Sequence, residues 1–266
     1  MGTAPAVISF DNVSKSYGGA APVLDGVSLE VREREFLAIV GPSGSGKTTL
    51  LRLVNRLIDP TAGTVRVEDQ DVRSIDAINL RRRIGYVFQG IGLFPHMTVA
   101  ENIAITPKLL DWNEARMNAR VDTLLELVRL DRQKHRDRFP AQLSGGEGQR
   151  VGVARAIAAE PKIVLMDEPF GALDPLTRDA LGEDYRRLHE SLGLTSVMIT
   201  HDMLEALLLA DRIAVMRAGR VVAEGTPQEL MSREQDGYVR ELMATPRRQA
   251  ERLNALTQRS APSPRA

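Results

Sequence analysis

Hydrophobic and polar positions change their rhythm along the chain. The runs "AVISFDNVSKSY" and "GVSLEV" alternate around a Gly-Gly turn, which predicts an antiparallel hairpin or small sheet near the N-terminus. "FLAIV", Phe36 to Val40, is instead continuously apolar, as in a strand buried on both faces, and it feeds a glycine-rich loop. Beyond the loop, Leu50, Leu53, Val54, Leu57 and Ile58 recur at helical spacing and predict a helix ending near Asp59-Pro60. The middle is more helical: Met117, Val121, Leu124, Leu125 and Val128 form one stripe, followed by "DRQKHRDRFP", which reads as a charged connection. Strands and helices then alternate through "IVLM" (Ile163 to Met166), "SVMIT" (Ser196 to Thr200), a helix over "MLEALLLA", and "RIAVM" (Arg212 to Met216). Such alternation predicts a mostly parallel sheet with helical crossovers, here interrupted by a helical insert over approximately residues 90–160.

Composition narrows the chemistry. The 266 residues, 43% of them hydrophobic, can bury a substantial core. Thirty-five basic residues balance 35 acidic ones, so no one-signed field argues for nucleic acid, which is not an expected partner. No cysteine is present, which excludes disulfides, thiolate metal sites and thiol nucleophiles and fits a reducing compartment. "MGTAPAVISF" lacks the charged start and apolar run of a secretory signal, so the cytoplasm is the default expectation. The longest uncharged stretch, Ile84 to Ala100, is broken by Gly85, Gly90, Gly92 and Pro95, and no transmembrane helix is expected. Residues 242–266 hold five arginines and one glutamate and read as a fraying helix passing into a solvated tail.

"GPSGSGKT", Gly41 to Thr48, matches G-x-x-x-x-G-K-[ST] with a strand before it and a helix after it. Four fixed positions would arise by chance in about one chain in a hundred of this length, so the match is specific. Gly41, Gly44 and Gly46 let the backbone curl until its N–H groups face phosphate oxygens; Lys47 brings a cation, and Thr48, beside Thr49, supplies a hydroxyl for Mg²⁺. A neighbouring strand should deliver an acid to that metal. "IVLMDEP" does so with Asp167, and Glu168 follows where it can polarise an attacking water. His201, leaving the strand "SVMITHD" at the same sheet edge, can reach a terminal phosphate, whereas His96, His135 and His189 read as ordinary residues.

A second anion site lies a hundred residues downstream. "LSGGEGQR" places a Ser-Gly-Gly turn at a helix start, where unpaired N–H groups and the helix dipole favour negative charge. Glu147 puts a carboxylate beside it. At about 4 Å from a phosphate that charge would cost about 4 kcal/mol at an effective dielectric near 20. Glu147 should therefore point away, toward ribose, water or a cation such as Arg150.

The phosphate loop, "LSGG", "IVLMDEP", "ALD" and "THD", in this order and spacing, resemble the ATP-binding cassette family, specifically the nucleotide-binding subunit of a transporter, over roughly Val7 to Glu241. The resemblance implies an α/β fold of the P-loop NTPase type, with a RecA-like core, an N-terminal antiparallel β subdomain and an inserted α-helical signature subdomain. It implies ATP and Mg²⁺ as cofactors and a head-to-tail dimer in which each ATP lies between one copy's phosphate loop and the other's signature turn. On this sequence, Gly41, Pro42, Ser43, Gly44, Ser45, Gly46, Lys47, Thr48 and Thr49 would hold the phosphates, and Tyr17 would stack on adenine. Gln89 would touch Mg²⁺ and sense a membrane partner, with Thr48 and Asp167 as the other metal ligands; Ser144, Gly145, Gly146 and Glu147 would meet the opposite ATP, and Asp174 the dimer contact.

The family's partners would be a second cassette, identical or paralogous, integral membrane permease subunits and, indirectly, an extracytoplasmic binding protein, with the chain peripheral on the cytoplasmic membrane face. The apolar "GIGLFPHMTVAENI" after Gln89 suits a docking surface or the core equally. "IGYVFQGIGLFPHMTVAENIAITPKLL" resembles importers of quaternary amines such as glycine betaine, choline and carnitine; polar amino acids are the alternative cargo, and a non-transport cassette ranks lower because a second site and a coiled-coil insert are lacking. Two departures stand out: only about 25 residues follow residue 241, too few for the paired regulatory modules of many osmoprotectant cassettes, and Glu147 stands where the usual signature has glutamine.

Overall fold

In the computed structural model, which describes residues 5–19, 21–232, 237–246 and 248, the alternating and the continuous apolar runs sort into two separate sheets. In chain order the elements are β1 (Ala6–Lys15), β2 (Leu24–Arg32), β3 (Phe36–Val40), α1 (Lys47–Val54), β4 (Ala62–Val67), β5 (Gln70–Asp71), α2 (Ala77–Arg83) and β6 (Ile84–Val87). The insert follows with α3 (Val99–Leu109), α4 (Glu114–Leu127), the single turn α5 (Arg132–His135) and α6 (Gly145–Ile157). The core resumes with β7 (Ile163–Asp167), α7 (Pro175–Leu192), β8 (Thr195–Thr200), α8 (Met203–Leu209), β9 (Arg212–Arg217), β10 (Arg220–Gly225) and α9 (Pro227–Ser232).

The first sheet is antiparallel in the order β2-β1-β4-β5, and Ile8, Phe10, Val27, Leu29 and Val31 point inward at alternate positions. The second has the order β10-β9-β3-β8-β7-β6 and is parallel except for β10. All five residues of β3 are buried because the strand is covered on both faces. Leu37 and Ile39 face the antiparallel sheet and α1, while Phe36, Ala38 and Val40 face the helical side with the insert and α7. Such a strand admits no polar alternation, which is why it reads as a continuous apolar run.

Four sequence expectations change. The helix after the phosphate loop stops at Val54, because Asn55 caps it and Arg56 turns left-handed at φ 50°; Leu57 is consequently half exposed. The "charged connection" contains α5, capped by Asp131 accepting from Lys134 N, and its His135 is buried. The strand that delivers Asp167 does not neighbour the phosphate-loop strand: β8 runs between β3 and β7, so the loop, His201 and the acids arise from three successive strands. Residues 237–246 are helical, with Val239 and Met243 buried in the core, so the described part of the expected tail is packed; the rest of residues 242–266, except 248, lies outside the described residues.

Candidate functional site

The C-terminal edge of β3 opens into the phosphate loop, and the loop's glycines are dictated by neighbours. A Cβ on Gly41 would sit 2.2 Å from the Met216 carbonyl oxygen, and one on Gly46, at φ +100°, would strike Val23 and Leu24 at 2.7 Å. Gly46 opens α1 without any side-chain cap, and no acid occupies the first turn, so the amides that follow retain no intrahelical acceptor. Lys47 is buried and donates from Nζ to the carbonyls of Gly41 at 2.8 Å and Pro42 at 2.9 Å. Burial lowers the affinity of that ammonium for its proton, an effect opposed by Glu168 and Asp167. Ser43, Gly44, Ser45, Gly46, Lys47, Thr48 and Thr49 line one cleft together with Val23, Gln89 and Glu168. Val23 carries no chemical signal, and only the close approach of its carbonyl to Gly46 explains its place there.

The two acids have different surroundings. Asp167 ends β7 buried, its Oδ1 accepting from Thr48 Oγ1 at 3.2 Å, and burial pushes its carboxyl upward, partly offset by that hydroxyl and by Arg52. Glu168 lies just outside the strand with its backbone left-handed at φ 46°, pinned by its N–H to Ile199 O at 2.9 Å. Gln89 Nε2 donates to Glu168 Oε2 at 3.2 Å, and His201 Nδ1 lies 3.4 Å from the same oxygen. Three residues singled out at separate places in the sequence therefore meet at one oxygen beside the phosphate loop.

A divalent cation fits this donor set. Thr48 and Asp167 offer a hydroxyl and a buried carboxylate that burial leaves costly to ionise, which a cation would relieve. Among the described residues no group of three or more His, Cys, Asp or Glu side chains could cage a metal unaided. That pattern suits Mg²⁺, which takes one or two protein oxygens and completes its shell from phosphates and water.

The signature turn is differently built. Ser144 caps α6: its Oγ accepts from Glu147 N at 3.3 Å, and the Glu147 carboxylate accepts from Ser144 N at 2.8 Å, a closed capping box. The turn is thus already capped by its own side chains, and Gly145 and Gly146 remain as the first-turn donors. Glu147 does point into its own chain, but not toward Arg150, which pairs with Asp184 at 2.7 Å. Its other oxygen instead meets Nε2 of His135 at 2.9 Å. His135, read from sequence as ordinary, thereby touches the signature turn, and no signal in the charged run around it pointed to that contact. The Ser144 hydrogen bonds, followed by that of His135, hold the Glu147 carboxyl at about 2. Asp174 caps α7 by accepting from Thr177 N at 3.1 Å, and Thr177 abuts Gly146, where a Cβ would lie 2.6 Å from its Cγ2. None of Ser144, Gly145, Gly146, Glu147, Asp174 or Tyr17 lines the phosphate cleft of its own chain.

An ABC transporter profile matches residues 24–171, more than half of the chain. The chain belongs to the ABC transporter family. It is 47% identical over 241 residues to the choline transport ATP-binding protein OpuBA of Bacillus subtilis (strain 168), covering 91% of this chain, and it spans 63% of that relative's length, less than two thirds. It is 47% identical to the glycine betaine uptake system ATP-binding protein YehX of Escherichia coli (strain K12), covering 88% of this chain and 76% of that one. Among solved structures, the ATP-binding cassette MJ0796, in a dimeric post-hydrolysis state bound to ADP and Pi, superposes with a TM-score of 0.74 at 34% identity, covering 83% of this chain and 98% of that one.

Tyr17 and most of the segment after Gln89 lie outside the lining of the phosphate cleft. Tyr17 is about half exposed just beyond β1, with the Lys15 ammonium 4.9 Å over its ring. The segment after Gln89 divides between surface and core: Ile91 and Phe94 are exposed, whereas Val99 and Ile103 are fully buried. Buried Asn102 holds the segment by accepting from Phe94 N at 2.8 Å and donating to Phe94 O, Met97 O and Thr98 O. Arg155 of α6 donates to Gly92 O at 2.8 Å, and Ile91 packs over Gly148. The segment after Gln89 therefore rests directly on α6, beside an apolar groove formed in part by Tyr86, Phe88, Phe94, Ile105 and Leu109.

Proposed function

We propose that the chain binds ATP with Mg²⁺ in the phosphate cleft and hydrolyses it as the ATPase subunit of an ABC importer. The observation that supports this best is the convergence of Gln89 and His201 on the Glu168 carboxylate, next to a phosphate loop that starts a helix without a cap. In this reading the loop amides and Lys47 hold the phosphates, and Thr48, Asp167 and Gln89 hold the cation, which when bound neutralises developing phosphate charge. Glu168 orients and polarises a water in line with the terminal phosphate, and His201 donates to that phosphate. The signature turn of a second copy closes the cleft, which agrees with the absence of Ser144 to Glu147 from the lining of the chain's own cleft.

Hydrolysis would be passed to a membrane permease through the groove beside Gln89, so the chain would sit on the cytoplasmic membrane face through that partner, with an extracytoplasmic binding protein delivering cargo. No helix among the described residues is long and apolar enough to cross a membrane. The transport names of the two curated relatives favour a quaternary amine such as choline or glycine betaine as cargo. The test of the chemistry is Glu168→Gln, expected to lower ATP hydrolysis at least about a hundredfold with ATP affinity retained. Equal rates would remove Glu168 from its role. The test of the cargo is ATPase stimulation of the assembled transporter by choline, glycine betaine and carnitine against polar amino acids; stimulation by the amino acids alone would overturn the amine reading.

A further inference from the structure

We propose that His135 is a positioning residue for the signature turn: its donation to Glu147 fixes the capping carboxylate and thereby aims the Ser144–Gly146 turn at a partner's nucleotide. The inference rests on the ATP sandwich described above.

The geometry is a clasp between two elements. His135 is buried at the end of α5, with Nδ1 2.8 Å from the Asp131 carbonyl oxygen and Nε2 2.9 Å from Glu147 Oε1. The other Glu147 oxygen takes the Ser144 N–H, so one carboxylate ties the first turn of α6 to α5 across the intervening connection. With both oxygens engaged, the negative charge is turned from the face that meets phosphate. Both ring nitrogens face acceptors, and a neutral imidazole carries only one N–H.

The surrounding charges are otherwise committed. Lys134 lies 3.9 Å from Asp131 on α5 itself, and Arg132 and Arg136 pair with Asp122 of α4. Glu101, in the first turn of α3, accepts from Thr98 N, and Arg150 of α6 pairs with Asp184. Glu147 is thus the carboxylate that answers His135.

The experiment uses the full chain carrying Glu168→Gln, so that ATP persists, and measures Mg·ATP-driven dimerisation by sedimentation. His135→Gln keeps a donor near the position of Nε2, so it should retain the parent's dimer affinity. His135→Ala removes that donor and should weaken dimerisation roughly tenfold, about the worth of one charge-assisted hydrogen bond. Monomer affinity for ATP, set by the chain's own phosphate loop, should not move in either variant. Dimerisation of His135→Ala with the parent's affinity, or equal weakening in His135→Gln, would overturn the positioning role. If the parent itself fails to dimerise with ATP, the sandwich fails and this inference with it.

Discussion

At the scale of single residues, the site separates groups that are legible from groups that are not. Asp167, Glu168 and His201 stand out in the sequence because each ends or follows a strand pattern at the point where the chain leaves the sheet, and Lys47 because the glycine-rich motif names it. His135 does not, because what makes it matter is a partner twelve positions away on another element. The same distinction explains Arg150, whose proximity to Glu147 along the chain suggested a pair that the buried Asp184 takes instead. The buried, upward-shifted Asp167 leads to a prediction. Its ionised form is disfavoured in the folded chain, so it costs stability above its ordinary titration range, and the cost disappears as pH falls and the proton is bound. Asp167→Asn should therefore raise thermal stability while lowering Mg²⁺-dependent hydrolysis; calorimetry and ATPase rates measure both. Glu147 has the opposite sign. Held at about 2, its cap is fully present above the ordinary carboxylate range and is lost as pH falls toward that value, so Glu147→Gln should remove acid sensitivity from the signature helix, as read by hydrogen exchange.

At the scale of elements, apolar patterning found β1, β2, β3, β7, β8, β9 and α4 because burial on two faces, or on one stripe, writes itself into the sequence, whereas the shorter or more polar β4, β5, β6 and β10 were not read. It overran α1, since Leu57 continues the helical spacing although Arg56 has already left the helix. It passed over α5, a single turn held by its Asp131 cap and with no apolar stripe of its own. Contacts between elements were also hidden, above all the approach of the signature turn to α7. There Gly146 leaves no room for a Cβ beside Thr177, so Gly146→Ala should push the turn off α7 and reduce ATP-driven dimerisation several-fold. Adding Thr177→Ser, which deletes the clashing methyl, should restore most of it; failure of that rescue would show that the glycine serves something other than this contact. In α3, Asn102→Ala would leave Phe94 N and Met97 O without their side-chain partner, while Phe94 O and Thr98 O keep backbone donors, and a loss of roughly 2 to 4 kcal/mol in chemical denaturation is expected.

At the scale of the molecule, the parallel core with an antiparallel subdomain and a helical insert was legible from alternating patterns, but strand order was not. Periodicity cannot tell that β8 lies between β3 and β7, because all three strands are equally apolar. That order sets the loop, His201 and the acids side by side, and it leaves the signature turn off the lining of the same cleft. The account's central claim is that the cleft is completed by a second copy. Mixing a Lys47→Ala chain with a Gly146→Asp chain, each inactive alone, tests it most directly. In the mixed dimer one site pairs an intact phosphate loop with an intact signature turn, so ATPase activity should return to about a quarter of wild type, from half the dimers with half their sites. Activity no greater than the sum of the two separate variants would contradict the shared site.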